Sequence, residues 1–116
     1  IILDHLGRPD VTDGAPYAAA QSLFDIAPIE SIYLKLTPRI MGDVKKGGAS
    51  PESFFPKLVE TFGAQRLAWG SNYPTSEGTL ADIKATAQDR LACLSEEDRS
   101  WIFAKTAQSL YPRLAD

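Results

Sequence analysis

Three short apolar runs alternate with stretches of helical character, and this alternation restricts the possible folds more than any other feature. Strands that alternate with helices predict a parallel sheet connected by right-handed crossovers. We therefore predict adjacent parallel strands with helices on one face. The predicted strands lie within IILDH, SIYLKLT and RLAWGSN, at residues 1–5, 32–37 and 66–72.

The helical stretches carry start and stop signals. Thr79 and Ser95 are each followed three residues later by an aspartate, Asp82 and Asp98, which is typical of a helix start. The loops are rich in Gly and Pro, including the whole of PRIMGDVKKGGAS after the second strand. The predicted helices run from Pro16 to about Ala27, from Pro56 to Phe62, from Thr79 to about Ala92 and from Ser95 to about Tyr111.

The helix before the third strand has an ambiguous start. Ser50 and Pro51 resemble an N-cap and a first helical residue. Pro56 then interrupts the pattern, because proline lacks the N–H that an interior helical residue donates. We therefore predict that the main helix begins at Pro56 and stops at Gly63.

The chain has 116 residues, the length of one domain. A closed eight-stranded barrel needs about 250 residues, so the predicted strands and helices amount to less than half of one. An open three-layer sheet is the competing architecture, although no Gly-x-Gly-x-x-Gly motif follows any strand. Because the sequence begins without Met and inside an apparent strand, we expect residues 1–116 to be a piece of a longer chain.

Charge and composition exclude several partners. The net charge is −3, with basic and acidic residues interspersed, which gives no reason to expect nucleic acid or an anionic membrane as a partner. No apolar run approaches the ~20 residues of a membrane span. Cys93 is the single cysteine, so an intramolecular disulfide and a cysteine metal cluster are excluded. A cytoplasmic location is the expectation.

Polar residues lie at the carboxyl end of each predicted strand and in the loop after it, where parallel α/β folds place their ligands. Lys35 is notable because an ammonium inside a barrel needs a partner or a place near the water-filled mouth. The other residues have ordinary structural interpretations, as turn, loop or surface groups. The candidates are His5 and Arg8; Lys35, Thr37 and Arg39; and Ser71, Asn72 and Tyr73.

The motifs LDHLGRP, IYLKLT, RLAWGSNYP and AKTAQSLYP resemble, in this order, the C-terminal portion of the amidohydrolase-2 family. This resemblance implies the C-terminal part of a TIM (β/α)8 barrel, with about three parallel strands and four helices. It also implies a hydrolase, either metal-dependent or metal-independent, acting on a small molecule. Family members include lactonases and zinc-dependent decarboxylases.

The resemblance implies that His5 and position 72 are catalytic. Asn72 stands where the family has an acidic residue, and an amide neither acts as a carboxylate base nor binds zinc well. Arg8, Lys35, Arg39, Ser71 and Tyr73 are then the substrate-binding candidates. No metal ligand set is predicted within this sequence, although zinc could use His5 with residues outside it.

The preferred interpretation is a lactonase that opens a carboxylated or sugar lactone by water attack. The alternatives are a zinc-dependent decarboxylase and a truncated, non-catalytic α/β module. We expect the 116-residue piece to be inactive alone. We also expect the rest of the barrel, or another copy, to cover the strand edges.

Overall fold

The sheet has the strand order and direction that the sequence predicts. The computed structural model describes residues 1–71, 73 and 78–111. Within these residues, β1 (Ile2–Leu3), β2 (Tyr33–Leu36) and β3 (Leu67–Trp69) form one parallel sheet in the order β1-β2-β3. The prediction of adjacent parallel strands is confirmed. Each strand is shorter than predicted, because a 3₁₀ turn follows β1, a helix begins at Pro38 after β2, and a 3₁₀ turn precedes β3.

The connections between the strands are helical. The first crossover carries α1 (Gln21–Asp25), and the second carries α2 (Pro38–Asp43) and α3 (Pro51–Phe62). After β3 come α4 (Leu80–Arg90) and a last helical stretch, in which a π-helical segment (Trp101–Lys105) joins α5 (Glu96–Ser100) to α6 (Thr106–Leu110).

The loop predicted directly after β2 is wrong in its first half, which forms α2. Pro38 occupies the first turn of this helix, where a missing N–H costs nothing. Ile40 and Met41 are each 1% exposed, so burial of their side chains stabilises the helix. The glycines in this segment of the sequence had favoured a loop instead.

The predicted start of α3 at Pro56 is also wrong. The helix begins at Pro51, and the Ser50 hydroxyl accepts the N–H of Ser53 at 3.2 Å as an N-cap. Pro56 lies on the exposed side of the helix, while Phe54 and Leu58 are fully buried. Burial of this apolar face outweighs the hydrogen bond that a proline removes.

The first predicted helix is shorter than expected at both ends. A 3₁₀ turn (Ala18–Ala20) leads into α1, which ends at Asp25. Tyr17 has φ 62°, in the left-handed region, so the helix does not begin at Pro16. The Tyr17 ring is completely buried and packs edge-on against Phe54, with 5.2 Å between ring centroids.

The helix starts after β3 agree with the sequence. The Thr79 hydroxyl accepts the N–H of Asp82, and the Ser95 hydroxyl accepts that of Asp98, each at 3.1 Å. Both capping predictions are confirmed.

The two faces of the sheet have different surroundings. Leu34, Leu36 and Leu67 are fully buried on the face covered by helices. Lys35 and Ala68, paired across β2 and β3, are half-buried on the opposite face, which we call the open face. In the described ranges, no helix is long and apolar enough to cross a membrane.

Candidate active site

His5 and Thr37 meet at the carboxyl edge of the sheet. They follow the neighbouring strands β1 and β2, and a hydrogen bond joins His5 Nδ1 to Thr37 Oγ1. Thr37 is 1% exposed, whereas His5 is half-buried. A buried hydroxyl on one nitrogen fixes the ring, so Nε2 is the atom through which His5 would act on a ligand.

The turn that carries His5 has an uncommon backbone. His5, Leu6, Gly7 and Arg8 have φ values of 54°, 56°, 72° and 57°. This conformation costs about 1–2 kcal/mol for each residue other than glycine. The Arg8 N–H donates to the His5 carbonyl at 2.8 Å, and the buried Leu6 side chain anchors the turn in the core. Strain of this kind is found at functional sites.

Lys35 has a carboxylate partner on the open face. Its ammonium lies 3.5 Å from Asp4 Oδ1, with 37% of the Lys35 side chain and 69% of the Asp4 side chain exposed. The sequence indicated that Lys35 needs a partner, but it did not single out Asp4. The register of the strands would have identified Asp4. Leu3 aligns with Leu34, so the next residues along the chain, Asp4 and Lys35, lie at the same level.

The side chain of Lys35 leans across the open face towards the carboxyl end of β3. Its backbone pairs with Ala68, yet its carbons lie over Gly70. A Cβ atom at position 70 would come within 3.2 Å of both Lys35 Cγ and Cδ, and closer still to Cε. The space occupied by the lysine side chain therefore depends on the missing side chain of Gly70.

A cavity of about 300 Å³ lies over the open face. The sheet forms one wall, and the end of the last helix forms the other. Asp4 and Lys35 are the charged groups among its lining residues, which also include Ile2, Ala68, Trp69 and Leu110. The cavity thus combines a largely apolar wall with one ion pair, as small-molecule sites commonly do.

The arginine candidates are placed apart from this cavity. Arg39 Nε lies 3.9 Å from Asp43 Oδ2, one turn further along α2. Arg8 is exposed and lines a different cleft of about 270 Å³, together with Leu6, Pro9 and Leu23.

The remaining candidates follow β3 in the sequence. Ser71 is half-buried, and its hydroxyl accepts the N–H of Tyr73 at 3.3 Å. Tyr73 is 55% exposed. Asn72, the residue that departs from the family motif, lies outside the described residues.

Asp10, a carboxylate with a shifted pKa, borders the cleft that Arg8 lines. Asp10 Oδ1 accepts hydrogen bonds from the Thr12 hydroxyl at 2.7 Å and from the Thr12 N–H at 3.0 Å. These bonds favour the ionised form, so they lower the pKa of Asp10 below its ordinary value.

A metal centre needs several ligands at one place. Among residues 1–71, 73 and 78–111, no three side chains of His, Cys, Asp or Glu are grouped to hold a metal ion. His5 supplies one imidazole, and the neighbouring Asp4 carboxylate is directed to Lys35. The described residues alone therefore do not fit a complete metal site.

A parallel sheet with helices on one face and polar groups at its carboxyl edge is the arrangement of a segment of a (β/α)8 barrel. The chain belongs to the amidohydrolase family, whose sequence pattern matches residues 1–113. The family predicted from the sequence motifs is confirmed.

Individual relatives agree with this assignment. An L-fucono-1,5-lactonase from Burkholderia ambifaria is 28% identical over 81 residues, covering 66% of this chain and 27% of that protein. A zinc-bound amidohydrolase from Burkholderia multivorans superposes with a TM-score of 0.68 and 23% identity. A protein provisionally assigned as a 2-pyrone-4,6-dicarboxylic acid hydrolase, from Pseudomonas putida, has a TM-score of 0.71 and 23% identity.

The structural likeness covers nearly all of this chain but less than half of each relative. The covered shares are 96% of this chain and 43% of the B. multivorans protein, and 97% and 42% for the P. putida protein. The fold is that of the C-terminal part of a TIM barrel, as predicted.

Proposed function

We propose that the protein carrying this chain is a lactonase, which opens a small carboxylated or sugar lactone by adding water to its carbonyl carbon. The observation that carries this proposal is the His5–Thr37 hydrogen bond at the carboxyl edge of the sheet. The likeness to an L-fucono-1,5-lactonase supports the choice of reaction.

His5 polarises the lactone carbonyl in this proposal. When the Thr37 hydroxyl donates a hydrogen bond to Nδ1, the ring proton is on Nε2. The Nε2–H group then donates a hydrogen bond to the carbonyl oxygen. Water then adds to the carbonyl carbon, the bond from that carbon to the ring oxygen breaks, and the proton that the water loses passes to the ring oxygen. The product is a hydroxy acid.

The remaining candidates bind and orient the reactants. Arg8 and Arg39 bind outer polar groups of the substrate through planar guanidinium groups, while Ser71 and Tyr73 contact the ring. Asn72 positions the water, since its amide both donates and accepts hydrogen bonds.

The enzyme works without a tightly held metal in this proposal, because position 72 has an amide in place of the family's carboxylate. Zinc bound with residues outside this sequence is the alternative. Metal analysis of the purified protein decides between them, with stoichiometric zinc refuting the metal-free form.

Activity assays on sugar lactones and on pyrone or other carboxylated lactones test the reaction itself. We expect ring opening by the wild type, loss of activity in His5→Gln and a reduced rate in Asn72→Ala. Asn72→Asp shows whether a restored carboxylate creates metal dependence. A folded wild-type protein that opens no lactone would contradict the proposal and favour a non-catalytic module.

The sheet edges provide a further part of the proposal. Ile1, which precedes β1, is 78% exposed, and Ile2, the first residue of β1, is 39% exposed. We propose that the rest of the barrel, or another copy of the chain, covers this edge, because an open strand invites pairing. The isolated 116-residue chain should then bind an apolar dye and associate, and a dye-negative monomer with cooperative unfolding would contradict this.

A further inference from the structure

We propose that Lys35 selects a carboxylated substrate over a neutral one, and that Asp4 and Gly70 position its ammonium for this purpose. The inference rests on the proposed lactonase function and narrows its substrate class. It assigns positioning roles to two residues that the sequence motifs did not identify as part of a site.

The charge on the open face supports the role of Lys35. Its ammonium reaches the cavity over the sheet, where most of the wall is apolar. An ammonium has three N–H donors, so the contact with Asp4 leaves donors to bind a substrate carboxylate. Partial burial strengthens such a contact relative to one in open water.

Gly70 determines where the lysine side chain lies. The Lys35 carbons cross the strand at the position that a residue-70 side chain would fill, and Cγ and Cδ would lie 3.2 Å from an added Cβ. This path directs the side chain from the level of Ala68 towards the carboxyl edge. The substrate is expected at that edge, where His5 and Thr37 meet.

Asp4 fixes the position of the Lys35 ammonium. Its carboxylate belongs to the turn after β1, and its 3.5 Å contact with Lys35 Nζ joins that turn to β2. Asp4 therefore acts through Lys35 and is a positioning residue.

The arginines are less suited to this selection. Arg39 is paired with Asp43 within α2, and Arg8 lines the separate cleft. Lys35 is the cation that the described structure places in the open-face cavity.

The test compares a carboxylated lactone with its neutral counterpart of the same ring size. Lys35→Met should raise KM for the carboxylated lactone roughly tenfold, the effect of losing about one charged hydrogen bond, and change KM for the neutral lactone little. Lys35→Arg should retain the preference. Equal effects of Lys35→Met on both lactones, or no effect, would overturn the inference.

Gly70→Ala tests the positioning without removing the charge. We expect the same selective rise in KM for the carboxylated lactone. Gly42→Ala is the matched control, because a Cβ there meets no atom within 4 Å and should change nothing. Asp4→Asn should lose part of the preference and Asp4→Glu should restore it. A Gly70→Ala enzyme with unchanged preference would refute the role of Gly70.

Calorimetric binding of succinate separates this inference from the proposed reaction. If the wild type opens neither lactone, the lactonase proposal fails. Even then, the role of Lys35 in binding a carboxylate is supported if the wild type binds succinate and Lys35→Met does not. Equal succinate binding by both proteins, or binding by neither, would overturn the inference independently of catalysis.

Discussion

His5 is hydrogen-bonded through Nδ1 to the hydroxyl of Thr37, a residue 32 positions further along the chain. One residue follows β1 and the other follows β2, so the contact exists only because the strands are parallel neighbours. Thr37 also precedes α2 as its N-cap residue. The beginning of that helix and the orientation of the imidazole are thus determined at the same place.

Replacing Thr37 by Val should impair catalysis while preserving side-chain shape. Without the hydroxyl, the His5 ring loses the partner that orients it and selects its tautomer. We expect kcat on a lactone to fall roughly fivefold, the equivalent of about 1 kcal/mol for one hydrogen bond. Thr37→Ser keeps the hydroxyl and should retain most of the rate. A Thr37→Val enzyme with wild-type kcat and an unchanged pH profile would show that the contact is structural only.

The architecture and part of the site follow from sequence. The apolar runs predict the parallel sheet because β-branched and aromatic residues are concentrated between Gly- and Pro-rich segments. The alternation of strands and helices along the sequence also predicts that His5 and Thr37 lie at the ends of neighbouring strands. Their direct hydrogen bond could not be predicted, because it depends on the left-handed turn from His5 to Arg8, a conformation that only Gly7 in this turn would suggest.

The errors have a common physical origin. Pro38 and Gly42 suggested a loop, and Pro56 suggested a helix start, because local propensity was the available signal. In the folded protein, burial of Ile40, Met41 and the apolar side of α3 stabilises helices that propensity disfavours. The Asp4–Lys35 pair was missed for a related reason, since it depends on strand register rather than on a motif.

Tyr17→Phe should lower the free energy of unfolding by about 1–3 kcal/mol, because a hydroxyl is removed from a largely buried network. The Tyr17 hydroxyl accepts the Ser50 N–H at 3.2 Å and lies 2.5 Å from Ser53 Oγ. Urea denaturation measures the loss. Tyr111→Phe is the control, because Tyr111 is 56% exposed and its replacement should have little effect. Equal midpoints for the two variants would contradict the prediction.

Arg66→Lys should also destabilise the fold, by about 2 kcal/mol, despite the retained charge. The guanidinium donates to the carbonyls of Phe62 at 3.0 Å, Ile29 at 3.1 Å and Ala27 at 2.8 Å. It thereby ties the end of α3 to the segment before β2. An ammonium cannot match this planar set of donors, so carbonyl groups lose partners.

Thermal and urea unfolding of Arg66→Lys measure this effect. Arg99→Lys is the comparison, since Arg99 lies on the short helix α5 and its replacement should be close to neutral. A melting temperature for Arg66→Lys equal to that of Arg99→Lys would show that the charge alone matters at position 66.

Asp10 should titrate at a lower pH in the folded protein than in the unfolded chain. The hydrogen bonds from Thr12 favour the carboxylate, so the pKa of Asp10 lies below its ordinary value of 3.8. The resulting stabilisation is present above that ordinary value and is lost as pH falls through the lowered pKa. Thr12→Val removes the hydroxyl donor, which is the larger cause, and should raise the pKa of Asp10. Carboxyl NMR titration measures the midpoint, and Thr86→Val, on exposed α4 surface, should leave it unchanged. An Asp10 midpoint that does not move in Thr12→Val would contradict the assigned cause.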